Sequence, residues 1–337
     1  MTTLRMELGE RSYDIHVGRA LLGKAKEYFN LDRKVFIVTD SGVPSEYANR
    51  LAEQCAEPLI VTVDEGEGSK SIETYGALLL KMAEFNMTRT DCCVAVGGGV
   101  VGDLTGFLAA SYMRGIDFYN VPTTVLSEVD SSIGGKTAVN LGGIKNIVGA
   151  FHQPRGVICD TDTLKTLPKR QIANGLAEAV KMALTSDAEL FSFFEENEVC
   201  EENIEWVISR SLMIKKAVVE ADERESGLRK ILNFGHTFGH AVEAREELCG
   251  FYHGECVAIG MIPVCSKKVR ERLLPVLKKL ALPYSYAGDV DAALSFISHD
   301  KKCDGKRISV VFVDEVGSFR LEKMETAEFS LLVKNNL

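Results

Sequence analysis

The sequence predicts two folding units: an α/β unit with a parallel sheet over residues 1–155, and a mainly helical unit over 156–337. Three observations lead there. Short, continuous apolar runs alternate with helical patterns through the first third of the chain. From about Asp160 helical periodicity takes over, and strand-like patterning returns only in RISVVFVDEVGSFRLEKM near the end. A length of 337 residues also exceeds what one hydrophobic core usually organises.

Taken in order, residues 3–17 alternate apolar and polar, break at Gly9-Glu10, and predict a hairpin. RKVFIVTDSGVP gives a strand from Val35 to Val38 that ends at Thr39-Asp40. PLIVTVDEGEGSK gives a second, ending in an acidic, glycine-rich turn. SIETYGALLLKMAEFN is helical, with Ser71 as N-cap and Thr74 where a capping box would carry an acid. DCCVAVGGG is a third strand that runs into a helix beginning GDLTGFLAASYM. Strands that are apolar throughout belong to a parallel sheet covered on both faces, and such sheets bind ligands at their carboxyl ends. Asp40, the Glu65–Lys70 turn and the triple glycine all fall there.

Gly97-Gly98-Gly99-Val100-Val101-Gly102-Asp103 fits the GxGxxG fingerprint of Rossmann-like dinucleotide-binding units. It sits on a later strand, however, and no acid ends a following strand. Glycines still let the backbone approach a pyrophosphate, and a helix N-terminus offers N–H donors; a tight turn packing strand on helix is the other reading. FYNVPTTVLSEVDSSIGGKTAVNLGGIKNIVGAFHQP is rich in Gly, Ser and Thr. It reads as short loops whose Lys136 and Lys145, beside Asp130 and Asn146, can point into a cleft. His152, before Gln153-Pro154, ends a loop rather than binding metal.

In the second half, TDTLKTLPKRQIANGLAEAVKMALTSD, DAELFSFFEENEV and IEWVISRSLMIKKAVVEADE read as helices after a short loop. Glu178 lies in the apolar setting GLAEAVKMAL, three residues before Lys181. There it is either a metal ligand, or one half of a helix pair on a solvated face. Three of the six histidines, His236, His240 and His253, lie within eighteen residues. Arg229, Asn233, His236 and His240 fall on one face if the stretch is a single helix. Such a stripe calls for a metal or an anionic ligand, and two histidines with a carboxylate suffice for a divalent cation with open positions. HGECVAIGMIPVCSKKVRERL reads as one further helix with His253 at its start. The expected site is the cleft between the two units.

The totals exclude several classes. Hydrophobic residues make up 46% and charged residues 26%, as in globular proteins, and the net charge of −9 argues against nucleic acid or anionic membrane as a partner. The nine cysteines are odd in number, with Cys92 and Cys93 adjacent and no CxxC, which points to reduced core thiols and a cytoplasmic location. MTTLRMELGE has no apolar run, and no stretch is long and apolar enough to span a bilayer.

GGGVVGDLTGFLAASYMRGIDFYNVPTT, DSSIGGKTAVNLGGIKNIVGAFHQP, GLAEAVKMAL, DERESGLRKILNFGHTFGHAVE and HGECVAIGM, in that order between Asp40 and Lys302, resemble the 3-dehydroquinate synthase family of sugar-phosphate cyclases. The resemblance implies conversion of 3-deoxy-D-arabino-heptulosonate 7-phosphate to 3-dehydroquinate and phosphate. The implied course is transient oxidation, phosphate elimination, re-reduction and aldol closure, with NAD regenerated and a divalent metal, zinc or cobalt. For the metal it implies Glu178, His236 and His253. For NAD it implies Asp40, Glu65, Gly66, Glu67, Gly68, Ser69, Lys70, Gly99, Val100, Val101, Gly102, Asp103, Thr123, Thr124, Lys136, Lys145, Thr163, Leu164, Lys165 and Thr166. For the substrate it implies Asp130, Lys136, Asn146, Lys181, Lys215, Arg229, Asn233, His240 and Lys301, of which Asp130, Lys136, Lys181 and His240 act in catalysis. Arg114 is expected to reach the phosphate held by a neighbouring subunit, which makes the enzyme a homodimer.

The implied cation set suits a substrate with a carboxylate and a phosphate, and a guanidinium such as Arg229 can hold a carboxylate bidentately. The resemblance separates two histidines that spacing alone would pair: His236 joins the metal and His240 faces the substrate. The sequence departs from many relatives at Asn140-Leu-Gly-Gly-Ile-Lys145, where they carry a proline-containing loop. Metal-dependent polyol and alcohol dehydrogenases of a related fold, and cyclases acting on a sugar phosphate without a carboxylate, are the rival readings. The former need no battery of anion-binding lysines, and a non-catalytic binding protein would be expected to have lost metal ligands.

Overall fold

The computed structural model describes residues 1–245, 250–299 and 307–337, which divide into two compact units, Met1–Pro168 and Lys169–Leu337. The first unit runs β1 (Thr2–Met6), β2 (Tyr13–Gly18), β3 (Lys34–Asp40), α1 (Ser45–Ala52), β4 (Glu57–Val63), α2 (Ile72–Glu84), β5 (Cys92–Gly97), α3 (Gly99–Ser111), β6 (Asp117–Pro122), β7 (Lys136–Leu141), β8 (Ile144–Phe151) and β9 (Gly156–Asp160). Seven strands form one sheet in the order β1-β2-β9-β6-β5-β3-β4. β1 and β2 are the expected antiparallel hairpin, turned by a 3-10 segment at Gly9–Arg11, and the other pairings are parallel.

The apolar strands bury both faces, as their composition requires. Val35 and Ile37 of β3, with Cys92, Val94 and Val96 of β5, enter one core beside Leu22, Tyr47 and Leu51. Phe36, Val38, Cys93 and Ala95 enter the other beside Leu78, Leu104 and Leu108. The adjacent cysteines therefore point to opposite cores. Burial pushes Cys92 up to about 12 and Cys93 well above its ordinary value, so both stay thiols. Cys200, by contrast, is exposed. Ser71 caps α2 as expected, its Oγ accepting from Thr74 N at 3.1 Å.

Two expectations for this unit change. The boundary near 155 moves to Pro168, because β9 lies between β2 and β6 and a cut at 155 would remove a central strand. The glycine-rich segment around Lys136 and Lys145 is a hairpin, not a set of loops: β7 and β8 pair antiparallel around Gly142-Gly143. Those glycines have φ of 60° and 77°, the left-handed pair that a two-residue hairpin turn needs.

The second unit runs α4 (Lys169–Ser186), α5 (Ala188–Glu196), α6 (Ile204–Ala221), a 3-10 turn at Leu228–Asn233, α7 (His236–Arg245), α8 (His253–Met261), α9 (Lys267–Lys279), α10 (Val290–Ser295), β10 (Arg307–Phe312), β11 (Arg320–Glu325) and α11 (Thr326–Asn336). α4 is buried without a break from Ala173 to Thr185 and packs on α5, α6 and α8. A helix buried all round is a core helix, so the polar residues in that span need partners. β10 and β11 form the expected terminal hairpin, with Arg307 opposite Glu325 and Phe312 opposite Arg320.

Two helices predicted as continuous are broken. HGECVAIGMIPVCSKKVRERL divides into α8 and α9 around a 3-10 turn at Ile262–Val264 that contains Pro263. α9 restarts on a Ser266 cap. The polar stripe is interrupted between Asn233 and His236, where Phe234 leaves the helical conformation (ψ 129°) and Gly235 takes φ 76°. Arg229 and Asn233 thus sit on the 3-10 turn, and only His236 and His240 share a helix face. Among the described residues no helix is long and apolar enough to cross a membrane.

Candidate active site and metal centre

The second unit's site is built on one face of α4. Arg170, Asn174, Glu178 and Lys181 recur at helical spacing and so point the same way. Arg170 holds Glu255 through two bonds of 2.7 Å, and Asn174 Oδ1 accepts from Gly254 N at 2.7 Å. These contacts fasten the first turn of α8, and hence His253, against α4. The approach is close enough that a Cβ on Gly254 would stand 1.9 Å from the Asn174 carbonyl oxygen. Gly235, by breaking the chain, starts α7 at His236.

The result is convergence. Glu178, fully buried, has Oε1 at 3.6 Å from His236 Nε2 and 3.4 Å from His253 Nε2. These separations are too long for good hydrogen bonds. Two ligands about 2.1 Å from a tetrahedral cation stand about 3.4 Å apart, so the spacing fits a shared ion. The far nitrogens are fixed as well: His236 Nδ1 lies 3.0 Å from the Phe234 carbonyl oxygen and His253 Nδ1 3.1 Å from Glu243 Oε2. With a proton on Nδ1 of each ring, the Nε2 lone pairs face Glu178, the usual arrangement behind metal-binding histidines.

Lys181 forms an ion pair with Glu178, and the two side chains are 1% and 0% exposed. That excludes the solvated helix pair. Burial alone would raise the Glu178 carboxyl, but Lys181 and the two rings outweigh it and hold it well below the usual range. Burial, aided by the Lys181 charge, holds His236 well below the ordinary imidazole value. His253 shifts the other way: burial pulls it down, yet the neighbouring carboxylates of Glu178 and Glu243 raise it to about 10. A cation bound at the Nε2 atoms would compete with a proton there, so its affinity should fall as pH falls.

His240 is exposed, with its ring 5.0 Å from that of His236 and 5.7 Å from that of His253. Ligand atoms of the three histidines all lie within 4.8 Å of one another. Geometry alone thus leaves two roles open to His240, a third ligand or a group that faces the substrate. Lys215 on α6 and Arg229 on the 3-10 turn are buried, like Lys181, and these elements pack on α4. Arg229 Nη1 donates to the Glu223 carbonyl, and Asn233 Nδ2 donates to Glu225 Oε1 at 2.8 Å. Lys301 lies outside the described residues.

In the first unit, Asp40, the Glu65–Lys70 turn and Gly97–Gly99 lie at the carboxyl ends of β3, β4 and β5. Asp40 Oδ1 accepts from Gly42 N and Val43 N at 2.9 and 3.1 Å. Burial, with help from the Glu65 charge, still raises its carboxyl above the usual value. Glu65 N is held by Ser41 Oγ and Ser69 Oγ donates to the Asp64 carbonyl, so Gly66, Glu67 and Gly68 form a fixed turn. Lys70 forms an ion pair with Asp103, tying this turn to α3 just past the first turn that Gly99, Val100, Val101 and Gly102 form. The opening N–H groups of that helix lack intrahelical partners, and a Cβ on Gly99 would come within 3.0 Å of Ser131 Oγ. A bare, donor-rich cradle of this kind fits a pyrophosphate.

Thr123 N donates to the Gly97 carbonyl oxygen, and Thr124 Oγ1 accepts from Ser127 N. Asp130 is half-buried in a π-helical turn at Ser127–Ser131, a form frequent at functional sites. Lys136 opens β7, and Lys145 and Asn146 lie on β8 with exposed side chains. Thr163, Leu164, Lys165 and Thr166 form a 3-10 turn against α1, where Tyr47 Oη meets Thr166 Oγ1 at 3.0 Å. Arg114, exposed after α3, has φ 69° and follows Met113 at φ 48°. Two left-handed residues that are not glycine mark a strained turn. Sequence reasoning missed Arg170, Asn174, Glu243 and Glu255; the i, i+4, i+8 spacing on α4 was the available signal for the first two.

Residues 60–174 match the family described as 3-dehydroquinate synthase N-terminal, and residues 175–303 match 3-dehydroquinate synthase C-terminal. The chain is 40% identical to the 3-dehydroquinate synthase of Clostridium acetobutylicum, covering 97% of this chain and 98% of that one. Against the enzyme of Dictyoglomus thermophilum it is 39% identical, covering 99% and 97%. Among solved structures it resembles a 2-deoxy-scyllo-inosose synthase with carbaglucose-6-phosphate, NAD+ and Co2+ bound (TM-score 0.91, 26% identity, full coverage of both chains). It also resembles the 2-epi-5-epi-valiolone synthase of Streptomyces hygroscopicus with NAD+ and Zn2+ (TM-score 0.85, 28% identity, 98% and 99% coverage). Fold, site geometry and full-length similarity together place the chain in the 3-dehydroquinate synthase family.

Proposed function

We propose that the chain converts 3-deoxy-D-arabino-heptulosonate 7-phosphate to 3-dehydroquinate and phosphate, with NAD held by the first unit and a divalent cation, zinc or cobalt, by Glu178, His236 and His253. The observation that carries this is the meeting of two imidazole Nε2 atoms on one buried carboxylate oxygen, at separations that suit a shared cation, in a chain about 40% identical to synthases of that name. Bound there, the cation would acidify a substrate hydroxyl and NAD would store the hydride between oxidation and re-reduction.

The chain's own residues do the rest. Lys181 keeps Glu178 ionised. Arg229 and Asn233 hold the substrate carboxylate, Arg229 through its fork. His240, exposed beside the metal ligands, moves the proton at the hydroxyl being oxidised. Asp130, Lys136, Asn146, Lys215 and Lys301 bind the remaining substrate oxygens. In the first unit the N-terminus of α3 takes the pyrophosphate of NAD, with Lys70 held by Asp103 beside it. Arg114 reaches the phosphate on a second copy, so the working form is a homodimer, and the buried thiols suit the cytoplasm.

Reconstitution tests this reading. Enzyme stripped by a chelator should release no phosphate from the heptulosonate phosphate, and zinc or cobalt should restore release with NAD in catalytic amount. Full activity after stripping would sink the metal assignment.

A further inference from the structure

Asp222 stands where a carboxylate is electrostatically misplaced. It closes the C-terminus of α6, the end that carries partial negative charge. What holds it is a set of donors from the next seven residues. Oδ1 accepts from Ser226 N at 2.9 Å and Ser226 Oγ at 3.0 Å. Oδ2 accepts from Gly227 N at 2.7 Å and Arg229 N at 2.9 Å. Within the loop so gathered, Glu225 adopts φ 60°, a strained value for a residue with a side chain.

The loop and the 3-10 turn Leu228–Asn233 that follows it carry two substrate candidates. Arg229 is tied to Asp222 through its main chain and to the Glu223 carbonyl through its guanidinium. Asn233 is tied to Glu225. We infer that Asp222 is a positioning residue for substrate binding: by collecting the N–H groups of Ser226, Gly227 and Arg229 on one carboxylate, it sets the guanidinium of Arg229 in register with the substrate's anionic group. The inference rests on the proposed contact between Arg229 and the substrate. It gives Asp222 no contact of its own with substrate, NAD or cation.

A double-mutant cycle on the metal-loaded, NAD-loaded enzyme tests it. Asp222→Ala should raise the KM for the heptulosonate phosphate about tenfold or more, with a smaller change in kcat and unchanged metal content and NAD affinity. Asp222→Asn keeps the volume but turns an amide toward donors on one arm, and it should shift KM in the same direction if the alanine variant folds poorly. In an Arg229→Ala background, Asp222→Ala should change kcat/KM less than about twofold, because its target is gone. Multiplicative effects of the two substitutions would overturn the proposal, as would an unchanged KM in both Asp222 variants while Arg229→Ala raises it. An unchanged KM in Arg229→Ala itself would instead bring down the substrate role of Arg229, and the role of Asp222 with it.

Discussion

The buried Glu178–Lys181 pair makes a quantitative demand on the metal-free protein. Glu178→Leu removes the carboxylate at nearly constant volume and leaves the Lys181 ammonium, 1% exposed, without its anion. Breaking a buried ion pair from one side costs about 3–5 kcal/mol, because the remaining charge stays desolvated. Removing both charges, in Glu178→Leu/Lys181→Met, should recover most of that loss and bring stability within about 1–2 kcal/mol of the wild type. The single tryptophan, Trp206, packs against Phe193 at 4.8 Å between ring centroids and reports on the helical unit. Urea unfolding followed by its fluorescence, with chelator present so that metal binding does not add to stability, supplies the three values. Neither variant should take up zinc or cobalt afterwards. A single substitution costing less than about 1 kcal/mol would mean that the pair is hydrated, and uptake of metal by the double variant would refute Glu178 as a ligand.

Further predictions follow from the same geometry. His240→Ala should retain metal and lose turnover, whereas His236→Ala should lose both; equal metal loss would return His240 to the ligand set that the 4.8 Å spacing permits. Gly254→Ala forces a methyl group against the Asn174 carbonyl. It should cost about 3 kcal/mol and weaken metal binding by moving His253, as thermal melts and metal titration would show; wild-type affinity would mean that α8 does not seat as described. Asp187 caps α5 and holds Arg210 through two bonds of 2.8 and 3.0 Å, so Asp187→Ala should cost about 1–2 kcal/mol at neutral pH. Burial opposes but does not outweigh the Arg210 bond, which holds the Asp187 carboxyl below its ordinary 3.8. Its contribution is therefore complete above that value and lost as pH falls through the lower folded one. Stability curves for the two proteins should converge below pH 3.8, and a constant gap would assign the effect to packing.

What the sequence revealed and what it hid have physical reasons. β3 and β5 were legible because strands buried on both faces are apolar at every position. β8 was not, since most of its side chains face solvent and leave no apolar pattern, although Gly142-Gly143 between the two strands was a usable turn signal. β9 is short and runs into the polar Thr161–Thr166 turn, which drew the boundary thirteen residues too early, at 155 rather than 168. The candidate metal ligands were legible through histidine spacing and a carboxylate in an apolar helix. The break at Gly235 was hidden because a single glycine inside a helical pattern is common, and its left-handed φ shows only in three dimensions. Glu243, which orients His253, carries no signal apart from its partner.

Transient oxidation makes NAD a catalyst rather than a reagent, and one stoichiometry tests it. Phosphate and NADH are followed together with heptulosonate phosphate in large excess over NAD. Many phosphates should be released per NAD, with no accumulation of NADH. One NADH formed for each substrate consumed would contradict it and make the chain a dehydrogenase.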